Sequence, residues 1–146
     1  MGIHPKVFTV LGIVFLAIGA LSFLTVAQGW YLSHSVLWRA GLFGLLDILI
    51  AYAFFDRQRW LELALGLNAA GQATLLAVHA YYSTALGGQF FFAVFGTTLA
   101  IALFWYVHRN RDMLKHTNAS YVLGGLFVCT WGVSFWYLLS NFLPIK

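Results

Sequence analysis

The chain has 146 residues, 62% of them hydrophobic and 8% charged, with a mean hydropathy of +0.84 and a net charge of +4. A soluble domain carries about 25% charged residues, and disorder needs low hydrophobicity with high net charge, so both are excluded. One cysteine and two prolines leave no disulfide framework, cysteine-based metal site or collagen-like repeat, and the composition is that of an all-α polytopic membrane protein.

A spanning helix needs about 20 predominantly apolar residues. Five such runs are read, over 7–28, 36–55, 60–83, 89–108 and 119–143, forming one integral membrane domain over residues 1–146. Pro5 precedes the first run, where proline is tolerated. Lys6, the apolar stretch and Thr25-Val26-Ala27 resemble a secretory signal. The apolar stretch, at about 20 residues, exceeds the usual signal core of about 7–15, so it reads as a retained span.

Gln28-Gly29-Trp30 ends the first helix, and Ser33-His34-Ser35 offers caps for the second. Asp56-Arg57-Gln58-Arg59 makes a short polar hairpin into the third helix, which Asn68, Gln72 and His79 interrupt. Leu86-Gly87-Gly88 separates the third helix from the fourth. Phe90, Phe91, Phe92, Phe95 and Phe104 ring the fourth helix, as lipid-facing bulk or as a surface for a flat lipophilic ligand or another subunit. The stretch 109–118 leads to the fifth helix, which Pro144 closes.

Five spans place Lys6, Arg57, Arg59, Arg109, Arg111 and Lys115 on one side. Lys146 lies on the other, with Arg39 near that end of the second helix. The positive-inside rule then puts the N-terminus in the cytoplasm and the C-terminus outside, in the inner (plasma) membrane of a bacterium. The basic bias suits anionic headgroups. No basic domain stands outside the membrane to bind nucleic acid.

Trp30, Tyr31, Trp38, Tyr81, Tyr82, Trp136 and Tyr137 fall near the outer ends, and Trp60, Trp105 and Tyr106 near the inner ends. They read as aromatic belts. Gly12, Gly19, Gly41, Gly44, Gly66, Ala70, Gly124, Gly125 and Gly132 are candidates for close helix approach, the small-residue device of membrane bundles.

Polar groups inside spans normally face the bundle interior. Asn68, Gln72 and His79 fall within about 40° of one another on a helical wheel, forming one stripe. An antiparallel pairing about the 56–59 turn sets Asp47 level with Asn68, Leu42 and Phe43 near Gln72, and Arg39 one turn from His79. Asp47 lies about 12 Å into its helix. It is accommodated either protonated and bonded to Asn68, or charged and paired with Arg39. Arg39, Asp47, Asn68, Gln72 and His79 are therefore the candidate ligand-binding or transport residues, which meet if the stripe turns towards the second helix. Glu62, one turn into the third helix, is expected to complement its N-terminus and pair with Arg57 or Arg59. Cys129 reads as inert core.

No catalytic set and no metal site is assigned. Haem, with His34 and His79 as axial ligands, is the weak metal alternative. A retinal Schiff base is excluded, because no lysine lies within a span. No motif ties the chain to a family. The leading expectation is a non-enzymatic accessory subunit or binder of a lipophilic ligand (a quinone, a pigment or a lipid), with the bilayer, other membrane subunits or a second copy as partners. The alternatives are a small transporter or channel using Asp47, and an intramembrane enzyme using Asp47, His79 and Arg39.

Overall fold

The computed structural model describes residues 6–29, 34–82 and 88–142, and within them all side chains except those at 34–36, 39, 79, 82, 88, 89, 92, 119, 141 and 142. Five α-helices follow one another: α1 (Lys6–Gln28), α2 (His34–Phe55), α3 (Trp60–Tyr82), α4 (Gly88–Arg109) and α5 (Asn118–Phe142), with a 3-10 turn at Arg111–Met113. No strand occurs among the described residues. Polar and glycine punctuation divides the chain where expected, and helix ends differ from the sequence reading by at most two residues.

Among the described residues three helical stretches, Lys6–Gln28, Trp60–Val78 and Ser120–Ser140, are long and apolar enough to cross a membrane; Ala40–Phe55 is apolar but shorter. At 1.5 Å per residue α1 is about 34 Å long, against a hydrocarbon thickness of about 30 Å. Its outward residues, among them Val10, Ile13, Ile18 and Leu21, are exposed apolar groups. Val122, Val133 and Trp136 on α5 and Phe91, Phe95 and Trp105 on α4 are exposed too. Apolar surface on this scale needs an apolar surrounding, which points to a membrane protein.

In lipid, association depends on close packing more than on the hydrophobic effect. The most extensive pairing is α1 with α2. A Cβ added to Gly19 would lie 2.8 Å from Ile48 Cγ1 and 3.0 Å from the Gly44 carbonyl, and one on Gly44 would lie 3.1 Å from Ser22 Cβ. Gly12 faces the Phe55 ring in the same antiparallel register. The next pairing is α3 with α4, where Gly66 receives Phe104. Helix α5 packs parallel to α3, with Trp60 against Gly124 and, further along, Gly71 against Trp131. It also touches α2, whereas α2 and α3 meet only sparsely. Gly71 escaped the sequence reading, and Gly125 and Gly132, which were included, face open space.

The core is asymmetric. Phe8, Phe15, Ile50, Phe54, Leu61, Leu65, Val107 and Phe127 are buried together, all towards the end that carries the 56–59 and 110–117 connections. Rings of Phe8 and Phe54 lie 5.9 Å apart, and Phe8 and Tyr106 6.0 Å apart. Trp60 and Tyr106, expected in an aromatic belt, are drawn into this core instead. Trp60 is only 7% exposed, packed 5.6 Å from Phe127, whereas Trp38, Tyr81, Trp105 and Trp136 face outward.

The connections at that end are stitched together. Arg57 takes a left-handed φ of 52°, and the Gln58 N–H donates to the Ala53 carbonyl at 2.9 Å. This is a Schellman ending of α2 with arginine where glycine is usual. Arg59 N–H donates to the Lys115 carbonyl at 3.0 Å, and Lys115 N–H to Arg57 at 2.6 Å. The fully buried Gln58 side chain completes the seam. Its amide donates to Asp56, and its carbonyl accepts from Thr117 Oγ1 at 2.9 Å and from Ser120 Oγ.

Candidate functional site

The intramembrane polar residues separate into two places. Asn68 and Gln72 on α3 face a small crevice closed by Phe43 of α2 and by Trp131, Ser134 and Leu138 of α5. Its volume is about 20 Å³, room for one water. Phe43 beside Gln72 is the level pairing expected from the short hairpin. Asn68 and Gln72 thus share this crevice with one residue of α2 and several of α5. Ser134 donates to the Thr130 carbonyl at 2.7 Å, within its own helix.

Asp47 lies against α1. A Cβ on Gly19 would sit 3.3 Å from Asp47 Cβ. The side chain is half-buried, and it makes no hydrogen bond or ion pair among the described residues, with Asn68 or any other. The side chains of His34, Arg39 and His79 lie outside the described residues, so pairing of Asp47 with Arg39 and the two-histidine haem arrangement fall there too. Among the described residues, no three His, Cys, Asp or Glu side chains gather closely enough to hold a metal ion.

Glu62 corrects the sequence expectation. It pairs with neither Arg57 nor Arg59; its Oε1 lies 2.6 Å from Nδ1 of His108 at the end of α4. The His108 ring stacks on Phe104 with centroids 5.8 Å apart, and Phe104 is held by Gly66. The phase of α4 against α3 decides this pairing, and nothing in the sequence sets that phase.

Two larger concavities flank α3 near the same end. One runs between α3 and α5, with Arg59 and His116 at its mouth and Leu63, Gly125, Val128 and Cys129 along its walls. Its volume is about 510 Å³. From Ser120 to Cys129 it extends about 14 Å along α5, close to half the hydrocarbon thickness. Cys129, expected in the core, is exposed on this wall. A second groove of about 440 Å³ lies between α3 and α4, lined by Arg59, Glu62, Leu63, Gly66, Leu67 and Phe104. Arg59 and Leu63, one helical turn apart, form the ridge between the two.

His116 is set in place by stacking on Tyr121, with centroids 6.0 Å apart. The backbone bonds of the 57–59 and 115 seam hold Arg59 beside it. Sequence reasoning assigned Arg59 to topology and to pairing with Glu62, and gave His116 no role. The pairing of Gln58 with Ser120, which draws α3 and α5 together at this end, was not legible from spacing.

No protein-family model, curated protein or solved structure matches the chain.

Proposed function

We propose that the protein is a five-span integral membrane protein of the inner membrane, N-terminus in the cytoplasm, which binds a lipophilic ligand and serves as an accessory subunit rather than an enzyme. The observation that carries this reading is the pair of apolar grooves beside α3, about 510 and 440 Å³. Pockets of this size with apolar walls and a few polar groups are the usual form of small-molecule sites. The basic residues of the 57–59 and 109–115 connections share the end of the bundle that the N-terminus of α1 occupies, which supports the orientation. The test is purification in mild detergent, followed by native mass spectrometry and organic extraction. A lipophilic molecule retained at about one per chain is the expected result. Protein recovered with nothing bound overturns the reading.

Transport is the second reading, and Asp47 is the observation in its favour. It is a carboxyl group within an apolar helix, beside the tightest helix crossing, with no partner among the described residues. Intramembrane acids of this kind commonly mark ion or proton pathways. Flux of ions or protons in proteoliposomes that disappears in Asp47→Asn, with the bundle still folded, supports transport; unchanged flux removes it.

A further inference from the structure

We infer that the ligand is an anionic phospholipid of the adjoining leaflet, bound astride α3 with its phosphate between Arg59 and His116 and one acyl chain in each groove. The inference rests on the lipophilic-ligand reading above and names its ligand class.

Charge is the first argument. Arg59 and His116 stand at the mouth of the α3–α5 groove, and Arg57 and Lys115 belong to the same connections. Two of the acids at this end are already engaged: Asp56 accepts from Gln58, and Glu62 meets His108. The third, Asp112 of the Arg111–Met113 turn, pairs with neither Arg59 nor His116. Among the described residues neither Arg59 nor His116 has a carboxylate partner. Arginine presents a planar fork of donors that matches phosphate oxygens, so an unneutralised arginine at the headgroup level selects an anionic headgroup.

Shape is the second. The two grooves share Arg59 and Leu63 and diverge on either side of that ridge. A ligand with one head and two tails fits the fork, whereas a flat ring or a single chain fills half of it. The walls of the α3–α5 groove are apolar to a depth of about 14 Å, which is the reach of one leaflet, and beyond Arg59 and Glu62 the α3–α4 groove is lined by Leu63, Gly66, Leu67 and Phe104. Gly125 faces open space within the first groove, so a chain can lie directly on the α5 backbone.

The experiment uses the full chain, stripped of lipid in detergent and titrated with phosphatidylglycerol or phosphatidylcholine under native mass spectrometry. The expected result is a single phosphatidylglycerol bound at least tenfold more tightly than phosphatidylcholine. Arg59→Gln with His116→Gln should bring that ratio close to one. Gly125→Leu should block the tight adduct by filling the groove. Gly96→Leu, on α4 and also in open space, is the control and should bind as the parent does. Gel filtration and circular dichroism confirm that each variant is folded.

Equal binding of the two lipids, or a preference unchanged in the Arg59/His116 pair and in Gly125→Leu, overturns the phospholipid assignment while leaving a neutral lipophilic ligand open. Failure to retain any lipophilic molecule, native or added, overturns both readings.

Discussion

Glu62 and His108 join α3 to α4 across 46 positions of sequence, Oε1 to Nδ1, at 2.6 Å. The two side chains are 26% and 45% exposed, so water competes with the contact. Glu62→Gln is expected to cost about 0.5 kcal/mol, the range of exposed ion pairs. A double-mutant cycle with His108→Gln, read by thermal unfolding in detergent, should return a coupling of that size. A coupling of several kcal/mol would contradict the exposure.

Gln58 should matter far more. Gln58→Leu keeps the volume but takes away the acceptor that the Thr117 and Ser120 hydroxyls share, leaving them only each other at 3.2 Å, and the nearer of the two donors to Asp56, with Tyr52 remaining at 3.4 Å. Unsatisfied buried polar groups cost about 1–3 kcal/mol each. A loss of about 3 kcal/mol in denaturant unfolding is expected, and a near-neutral result would show that water replaces the amide.

The α1–α2 crossing predicts a ranking. Gly19→Ala pushes a methyl group against Ile48 and the Gly44 carbonyl, and backbone cannot yield cheaply. The cost should be about 2 kcal/mol, as for overpacking elsewhere. Gly12→Ala meets only the ring of Phe55, which is exposed enough to rotate. Gly132→Ala meets nothing. Unfolding in mixed detergent should rank the three in that order.

Arg57 offers a gain. A residue with a side chain in the left-handed region is strained by about 1–2 kcal/mol, and glycine at this position of a Schellman ending is not. Arg57→Gly should raise stability by about 1 kcal/mol, net of the extra freedom glycine has when unfolded. A decrease would show that the side chain contributes an interaction beyond its backbone.

Among the described residues Asp47 has no partner to lose when its charge is removed. Asp47→Asn should therefore keep the bundle folded and at least as resistant to heat as the parent protein in the same detergent. A clear loss of stability would reveal a bond that the carboxyl group alone can make.

Much of the fold was legible because it depends on local signals. Runs of about 20 apolar residues, divided by glycines and charges, locate all five helices. The four-residue connection at 56–59 sets Phe43 beside Gln72. Composition marks Gly12, Gly19 and Gly44 as small, and the structure gives each a neighbour. Phase was not legible. Apolar residues cover every side of these helices, so periodicity does not tell lipid from core. Trp60 was therefore placed in a belt, Cys129 in the core and Glu62 beside an arginine. Gln58 was hidden for another reason: its partners lie about 60 residues on, at the start of a helix whose position is fixed only by tertiary packing.

The sparse meeting of α2 and α3 has a consequence for biogenesis. Each hairpin, α1–α2 and α3–α4, joins neighbours in sequence and can close as soon as its second helix leaves the ribosome. The two hairpins are held to each other largely by α5, the last helix made, which touches both. Newly inserted chains should therefore wait in the bilayer as two loosely tethered hairpins until α5 arrives. A chain cut short before residue 118 and freed from the ribosome would keep that open form, accessible to protease at the 56–59 connection, whereas the chain that includes α5 would close it.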